Sequence, residues 1–134
     1  MKKVYQIDGN KFSTLEEFYE EISSVLVPGV YWGKNLDAFN DLLRGGFGTP
    51  DEGFVLIWEN SEISKKKLGY DETIKQLGLK HQRCHSSARA KVKSDLQNAI
   101  NKTGPTVFDW LIGIIKYHCV NEDDEKSTVE LILK

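Results

Sequence analysis

The chain has 134 residues, of which 40% are hydrophobic and 28% charged, and its formal net charge is −2. This length suits one domain that buries a core without disulfide or metal staples, and the composition excludes a disordered or fibrous protein. No apolar run reaches the length of a membrane span or a secretory signal, so we expect a cytoplasmic protein without a membrane partner. Cys84 and Cys119 lack a disulfide spacing and are expected to be free thiols.

The N-terminal part of the chain predicts a strand followed by a helix. Residues 3–7 are typical of a short strand, and Ser13 or Thr14 can cap a helix that ends before Pro28. The apolar stripe of this helix consists of Leu15, Phe18, Ile22 and Val25. Such a stripe indicates a helix that packs one face on a core.

A second helix, beginning after Asn35, has the most informative pattern. Asn35 is a favourable N-cap and Gly45 a natural terminator. The apolar face consists of Leu36, Phe39, Leu42 and Leu43. Helical spacing turns Asp37 and Asp41 toward solvent, where two like charges one turn apart repel by about 0.2–0.5 kcal/mol. The pair is therefore a candidate docking edge for a cationic partner, although Asp37 also complements the helix dipole and Arg44 can pair with Asp41.

The remaining pattern predicts two strands and further helices. Residues 54–58 are apolar at every position, as in a central strand buried on both faces. A short helix follows, residues 107–119 predict another, and residues 128–133 alternate like a strand after an acidic turn at 121–126. The order β-α-α-β-α, an uncertain segment, then α-β favours an α/β fold with a parallel sheet of about three strands.

Residues 69–105 interrupt this order. They resemble a mostly helical insertion in a single domain spanning residues 1–134, because they contain too few large apolar residues for a core of their own. Residues 88–100 have helical periodicity, and Asp71 can cap a shorter helix that ends before Gly78.

The same region is strongly basic. Residues 75–102 contain seven Lys or Arg and one acid, Asp95, a local charge of +6 that leaves −8 for the rest of the chain. Such a segment can contact phosphates, so RNA binding or regulation through residues 75–102 is the alternative function. The segment has no aromatic residue to stack on bases, and the acidic remainder opposes RNA. We therefore favour a solvated helical insertion over nucleic acid as the partner.

Metal and catalytic chemistry find little support in the sequence. His81, Cys84 and His85 are three possible ligands within five residues, but a structural zinc site needs four ligands at paired spacings. There is no Gly-rich phosphate loop and no nucleophile motif. We predict that the protein is not an enzyme. We also expect no catalytic residue, metal, cofactor or small-molecule substrate.

The element order and one segment resemble the barstar family of ribonuclease inhibitors. Tyr31-Trp32-Gly33-Lys34-Asn35-Leu36-Asp37-Ala38, followed by Asp41-Leu42-Leu43, joins a loop, a helix cap and both acids. The resemblance covers residues 1 to about 68 and about 106–134, whereas residues 69–105 have no counterpart in short family members. It implies a protein that lays this helix and loop across the cationic active site of a ribonuclease, with carboxylates in the phosphate positions.

The resemblance also implies a set of toxin-binding residues, which are Tyr31, Gly33, Asn35, Asp37, Asn40, Asp41 and Gly45. In family members the acids matching Asp37 and Asp41 meet active-site cations, and the aromatic matching Tyr31 packs against the enzyme. Asn40 stands where the family helix has an aromatic, and Lys34 where the loop has an acid. These departures indicate an immunity protein for a cognate ribonuclease toxin other than the secreted enzyme that the type member blocks.

Overall fold

The computed structural model describes residues 2–50, 52–119 and 128–134. The acidic turn predicted at residues 121–126 lies outside this range. No helix among the described residues is long and apolar enough to cross a membrane.

The described residues form a three-stranded parallel sheet, which confirms the predicted α/β fold. Its strands are β1 Lys3–Asp8, β2 Gly53–Glu59 and β3 Thr128–Leu133, in the order β1-β2-β3. Tyr5 is paired with Leu56, and Leu56 with Leu131. The apolar segment 54–58 is therefore the central strand.

Among the described residues, only one face of the sheet packs against the core. The buried side chains of β1 and β2 are Tyr5, Ile7, Phe54, Leu56 and Trp58. On the other face, Val55 and Ile57 are half-buried, while Val4 is 53% and Ile132 40% exposed. Parallel strands in chain order, joined by crossovers of one hand, place all their helices on the same side. The expectation that residues 54–58 are buried on both faces is therefore wrong.

Six α-helices lie within the described residues. They are α1 Leu15–Leu26, α2 Leu36–Arg44, α3 Ser61–Lys67, α4 Tyr70–Arg83, α5 Arg89–Ile100 and α6 Val107–Tyr117. The Thr14 hydroxyl caps α1 by accepting a hydrogen bond from the Glu17 amide at 3.1 Å. Trp58 packs against Phe18 of α1 and Phe108 of α6, so these helices meet over the central strand.

Residues 69–105 contain a helical hairpin made of α4 and α5. Helix α4 has Gly69 as its N-cap, contains Asp71 in its first turn and continues through Gly78. The predicted Asp71 cap and the helix end before Gly78 are therefore wrong. A glycine inside a helix costs about 1 kcal/mol. Burial of Leu77, which is 4% exposed beside Gly78, offsets that cost, since burying a leucine contributes about 1.5–3 kcal/mol.

The hairpin leaves the body and rejoins it at one place. The Phe108 amide donates to the Leu68 carbonyl at 3.1 Å, and the Val107 amide to the Thr73 hydroxyl at 2.9 Å. Helix α6 thus begins beside the junction of α3 and α4. Its buried side chains in the main core are Val107, Phe108, Leu111 and Ile115. The hairpin therefore begins and ends beside the start of α6.

Candidate functional site

The loop before α2 buries one aromatic residue and exposes its neighbour. Trp32 is 3% exposed, and its indole N–H donates to the Ser23 hydroxyl at 2.6 Å. Its ring also packs edge-on against Tyr19, with centroids 5.5 Å apart. Tyr31 is 85% exposed. A rigid loop that presents an exposed tyrosine is typical of a contact surface for another protein.

Gly33 allows this loop to close onto α2. Its φ is +95°, a conformation that favours glycine, and an added Cβ would lie 3.1 Å from the Ala38 Cβ. The next residue, Lys34, forms an ion pair with Glu20 at 2.7 Å. Lys34 is thus engaged with α1 of its own chain.

Both ends of α2 form as the sequence predicts. The Asn35 side chain accepts a hydrogen bond from the Ala38 amide at 2.8 Å. At the other end, Gly45 has φ +106° and its amide donates to the Leu42 carbonyl at 3.1 Å. The buried side chains Phe39, Leu42 and Leu43 fix the helix on the core. The outer face of α2 is therefore held in one orientation.

Asp37 and Asp41 lie exposed on that outer face. Among the described residues neither carboxylate has an ion pair or a hydrogen bond. The pairing of Arg44 with Asp41 that the spacing allows does not form within 4.0 Å. Both carboxylates are therefore available to cations of another molecule.

Asn40, by contrast, is engaged within the chain. Its side-chain oxygen lies 2.7 Å from His118 Nε2, so the imidazole donates this hydrogen bond. Burial and, secondarily, the charge of Arg44 lower the pKa of His118, which favours the neutral ring. Tyr117 packs edge-to-face on that ring and is 68% exposed. This exposed aromatic lies beside α2, next to the position where the resemblance predicts one.

The sequence did not identify Tyr117 as a surface residue. It ends a densely apolar run, which hides its exposure. Helical spacing does indicate the exposure of Tyr117, because this residue lies about 200° around the helix from the buried Ile115. Its position beside Asn40 depends on how α6 packs, which no local pattern specifies.

A cleft of about 740 Å³ opens at the N-terminal end of α2. Its walls come from α1, the start of α2 and the α4–α5 hairpin, with Trp110 contributed by α6. Asp37 lies on the α2 side, and Lys80 and Arg83 lie on the α4 side. The basic segment is therefore adjacent to the acidic helix.

The predicted metal-ligand types near residue 81 do not gather into a site. His85 Nδ1 lies 2.9 Å from the Ser87 hydroxyl, and the Cys84 thiol donates to the His81 carbonyl. Within the described ranges, no group of three or more His, Cys, Asp or Glu side chains is arranged to hold a metal ion. Cys84 and Cys119 are free thiols.

The chain is similar to a known protein family and to a protein of Bacillus subtilis. A family profile described as "Barstar (barnase inhibitor)" matches residues 2–84, from β1 through α4. A Bacillus subtilis (strain 168) protein named "Putative ribonuclease inhibitor YrdF" is 35% identical over 69 residues, which cover 52% of this chain and 71% of that protein. The matched region of the profile contains the loop, the cap and both acids of α2.

Proposed function

Because the chain belongs to the barstar family, we propose that it inhibits a ribonuclease by covering the enzyme's active site with α2 and the loop before it. Family members are inhibitors rather than enzymes, and this chain acts in the same way. Its partner is a protein, and it needs no cofactor or small-molecule substrate.

One observation carries the proposal. Asp37 and Asp41 are exposed, lie one helical turn apart and have no charge partner among the described residues. A ribonuclease must bind phosphates, so its cleft is lined with cations. Carboxylates on a fixed helix accept charge-assisted hydrogen bonds from such cations, and complementary charge also accelerates association.

The predicted toxin-binding residues divide into two groups. Tyr31, Asp37, Asn40 and Asp41 present side chains to the enzyme. The conformational residues Gly33, Asn35 and Gly45 set the loop and both ends of α2. This division follows from their positive φ angles and cap hydrogen bond.

We further propose that the ribonuclease is a toxin and that this chain is its immunity protein in the cytoplasm. The contacts of Lys34 and Asn40 support one part of this proposal, an enzyme other than barnase. Lys34 is paired with Glu20, and Asn40 is bonded to His118, so two positions at the edge of the docking surface are engaged within the chain. An interface with these changes suits an enzyme other than barnase.

RNA binding through residues 75–102 has weaker support. Lys75 is paired with Glu16 and Glu72, and Lys91 with Asp95. These pairs reduce the number of cations free to displace counterions from RNA. Of the remaining cations, Lys80 and Arg83 line the cleft that also contains Asp37 of α2.

The experiment is an inhibition assay on fluorescent RNA with two named probes, barnase and each ribonuclease encoded beside this chain's gene. We expect stoichiometric inhibition and a one-to-one complex with the adjacent enzyme, and weaker inhibition of barnase. Absence of both a complex and inhibition with every probe would overturn the proposal.

A further inference from the structure

The α4–α5 hairpin supplies a second charged wall beside the docking helix. We infer that Lys80 and Arg83 bind a carboxylate-bearing segment of the same ribonuclease whose cations meet Asp37 and Asp41. This inference rests on the proposed function. It extends the docking surface from α2 to the α4–α5 hairpin.

The cleft brings these groups together. It has a volume of about 740 Å³, and Leu77 and Trp110 contribute apolar surface to it. Asp37 lines one side, while Lys80 and Arg83 line the other. A protein segment that approaches Asp37 therefore also meets α4.

Most other charges in the cleft already have partners. Glu16 is paired with Lys75 at 3.5 Å, and also accepts a hydrogen bond from Gln76. Lys34 is paired with Glu20 at 2.7 Å. Asp95 is likewise paired with Lys91, at 2.9 Å.

By contrast, the side chains of Asp37, Lys80 and Arg83 have no ion pair or hydrogen bond with any described residue. A docked partner must compensate the two cations and the carboxylate together.

The wall that carries the two cations is fixed at its base. Glu72 is 6% exposed, accepts a hydrogen bond from the Leu15 amide at 3.1 Å and pairs with Lys75 at 3.0 Å. Lys80 follows Glu72 by eight residues, or about 12 Å along a helix. The backbone of α4 that carries Lys80 and Arg83 is therefore held against α1, so a partner that docks here does not have to order this helix.

The charge pattern favours a protein over RNA. An RNA backbone presents only negative charge, so phosphates that reach Lys80 and Arg83 are repelled by Asp37 and Asp41. A ribonuclease that uses general acid–base catalysis carries carboxylates close to its phosphate-binding cations. Its surface therefore offers both signs of charge within a short distance, which matches the two walls of the cleft.

The test uses two charge-reversed double variants with equal net charge. Lys80→Glu with Arg83→Glu changes the cleft, and Arg89→Glu with Lys93→Glu changes exposed positions of α5 that do not line it. The adjacent ribonuclease is the first probe and barnase the second. We expect the cleft variant to weaken inhibition about tenfold more than the α5 variant, as for loss of a charge-assisted contact.

A neutral variant, Lys80→Gln with Arg83→Gln, guards against a folding defect, because glutamates in the last turn of α4 oppose the helix dipole. It should weaken inhibition less than charge reversal and leave the urea midpoint unchanged. Equal inhibition by the two charge-reversed proteins would overturn the inference.

Parallel measurement of Asp41→Asn separates the two claims. Loss of inhibition in Asp41→Asn, with no specific effect at Lys80 and Arg83, overturns the inference and leaves the proposed function standing. No inhibition by the unmodified chain overturns both. Binding of a short single-stranded RNA at physiological salt that needs Lys80 and Arg83, with inhibition unchanged, would identify RNA as the ligand of this wall instead.

Discussion

His118 Nε2 and Asn40 Oδ1 lie 2.7 Å apart and join the last helix to the helix that carries both proposed contact acids. The bond fixes the side chain of Asn40 on the outer edge of α2. It also holds the ring on which the exposed Tyr117 packs. The C-terminal end of α6 therefore shapes the surface of α2, although 77 residues separate Asn40 and His118 in the chain.

This bond predicts a pH dependence of stability. The pKa of His118 is lowered in the folded chain, chiefly by burial and then by Arg44. The unfolded chain therefore binds the proton more readily. As a result, the free energy of unfolding is higher above the ordinary pKa of about 6.5 and decreases as the pH falls through that value. His118→Gln keeps a donor for Asn40 but does not titrate. The decrease in the urea midpoint from about pH 7.5 to about pH 5.5 should be smaller in this variant than in the unmodified chain. An equal fall would contradict the prediction.

Substitutions of the neighbouring residues Tyr31 and Trp32 should have opposite effects on stability and binding. Tyr31→Ala removes an 85% exposed side chain, so it should leave the urea midpoint nearly unchanged and weaken ribonuclease binding. Trp32→Ala empties a buried position and should lower the free energy of unfolding by about 3–5 kcal/mol. Chemical denaturation and a binding titration on both variants check the pair. A destabilised Tyr31→Ala protein would show that this side chain is structural.

Gly33 and Gly29 form a matched pair of positive-φ glycines. An added Cβ at Gly33 meets the Ala38 Cβ at 3.1 Å, whereas nothing lies within 4 Å at Gly29. Both alanine variants carry backbone strain of about 1–2 kcal/mol, and Gly33→Ala also shifts the loop against α2. It should therefore reduce both stability and inhibition more than Gly29→Ala. If the two variants have the same denaturation midpoint and the same inhibition constant, the proposed role of Gly33 is wrong.

The association rate should depend strongly on salt. Exposed carboxylates that approach a cationic cleft attract it over about a Debye length, which shrinks from about 10 Å at 0.1 M to about 3 Å at 1 M ionic strength. Stopped-flow association with the adjacent ribonuclease should slow more than dissociation accelerates as salt rises. A rate that is indifferent to salt would argue against an interface led by Asp37 and Asp41.

Local signals in the sequence predicted what local chemistry determines. Asn35 and Gly45 mark the two ends of α2, because a side-chain cap and a glycine with positive φ act within a few residues. The barstar-family resemblance rested on the same segment, and the family is confirmed by the match over residues 2–84. The match includes residues 69–84, where no counterpart was expected, and the expected resemblance over residues 106–134 lies outside it. The parallel order of the strands followed from helical connections between them.

Features that depend on packing were not predicted. Helix α4 continues through Gly78 because Leu77 is buried, and Val55 remains half-buried because the helices cover one face of the sheet. The cleft between Asp37 and Lys80 forms because the folded chain brings α4 beside α1 and the start of α2. No periodicity within one element carries that information.

The most direct test of the central claim compares removal of equivalent acids from two helices. Asp37 and Asp71 both lie in the first turn of a helix and are exposed, but only Asp37 belongs to α2. The inhibition constant is measured against the adjacent ribonuclease for Asp37→Asn, Asp41→Asn and Asp71→Asn, with folding checked by urea denaturation. We expect the two α2 variants to weaken inhibition by about tenfold or more, as for loss of a charge-assisted contact, and Asp71→Asn to inhibit as the unmodified chain does. Equal inhibition by all three folded variants would contradict the account.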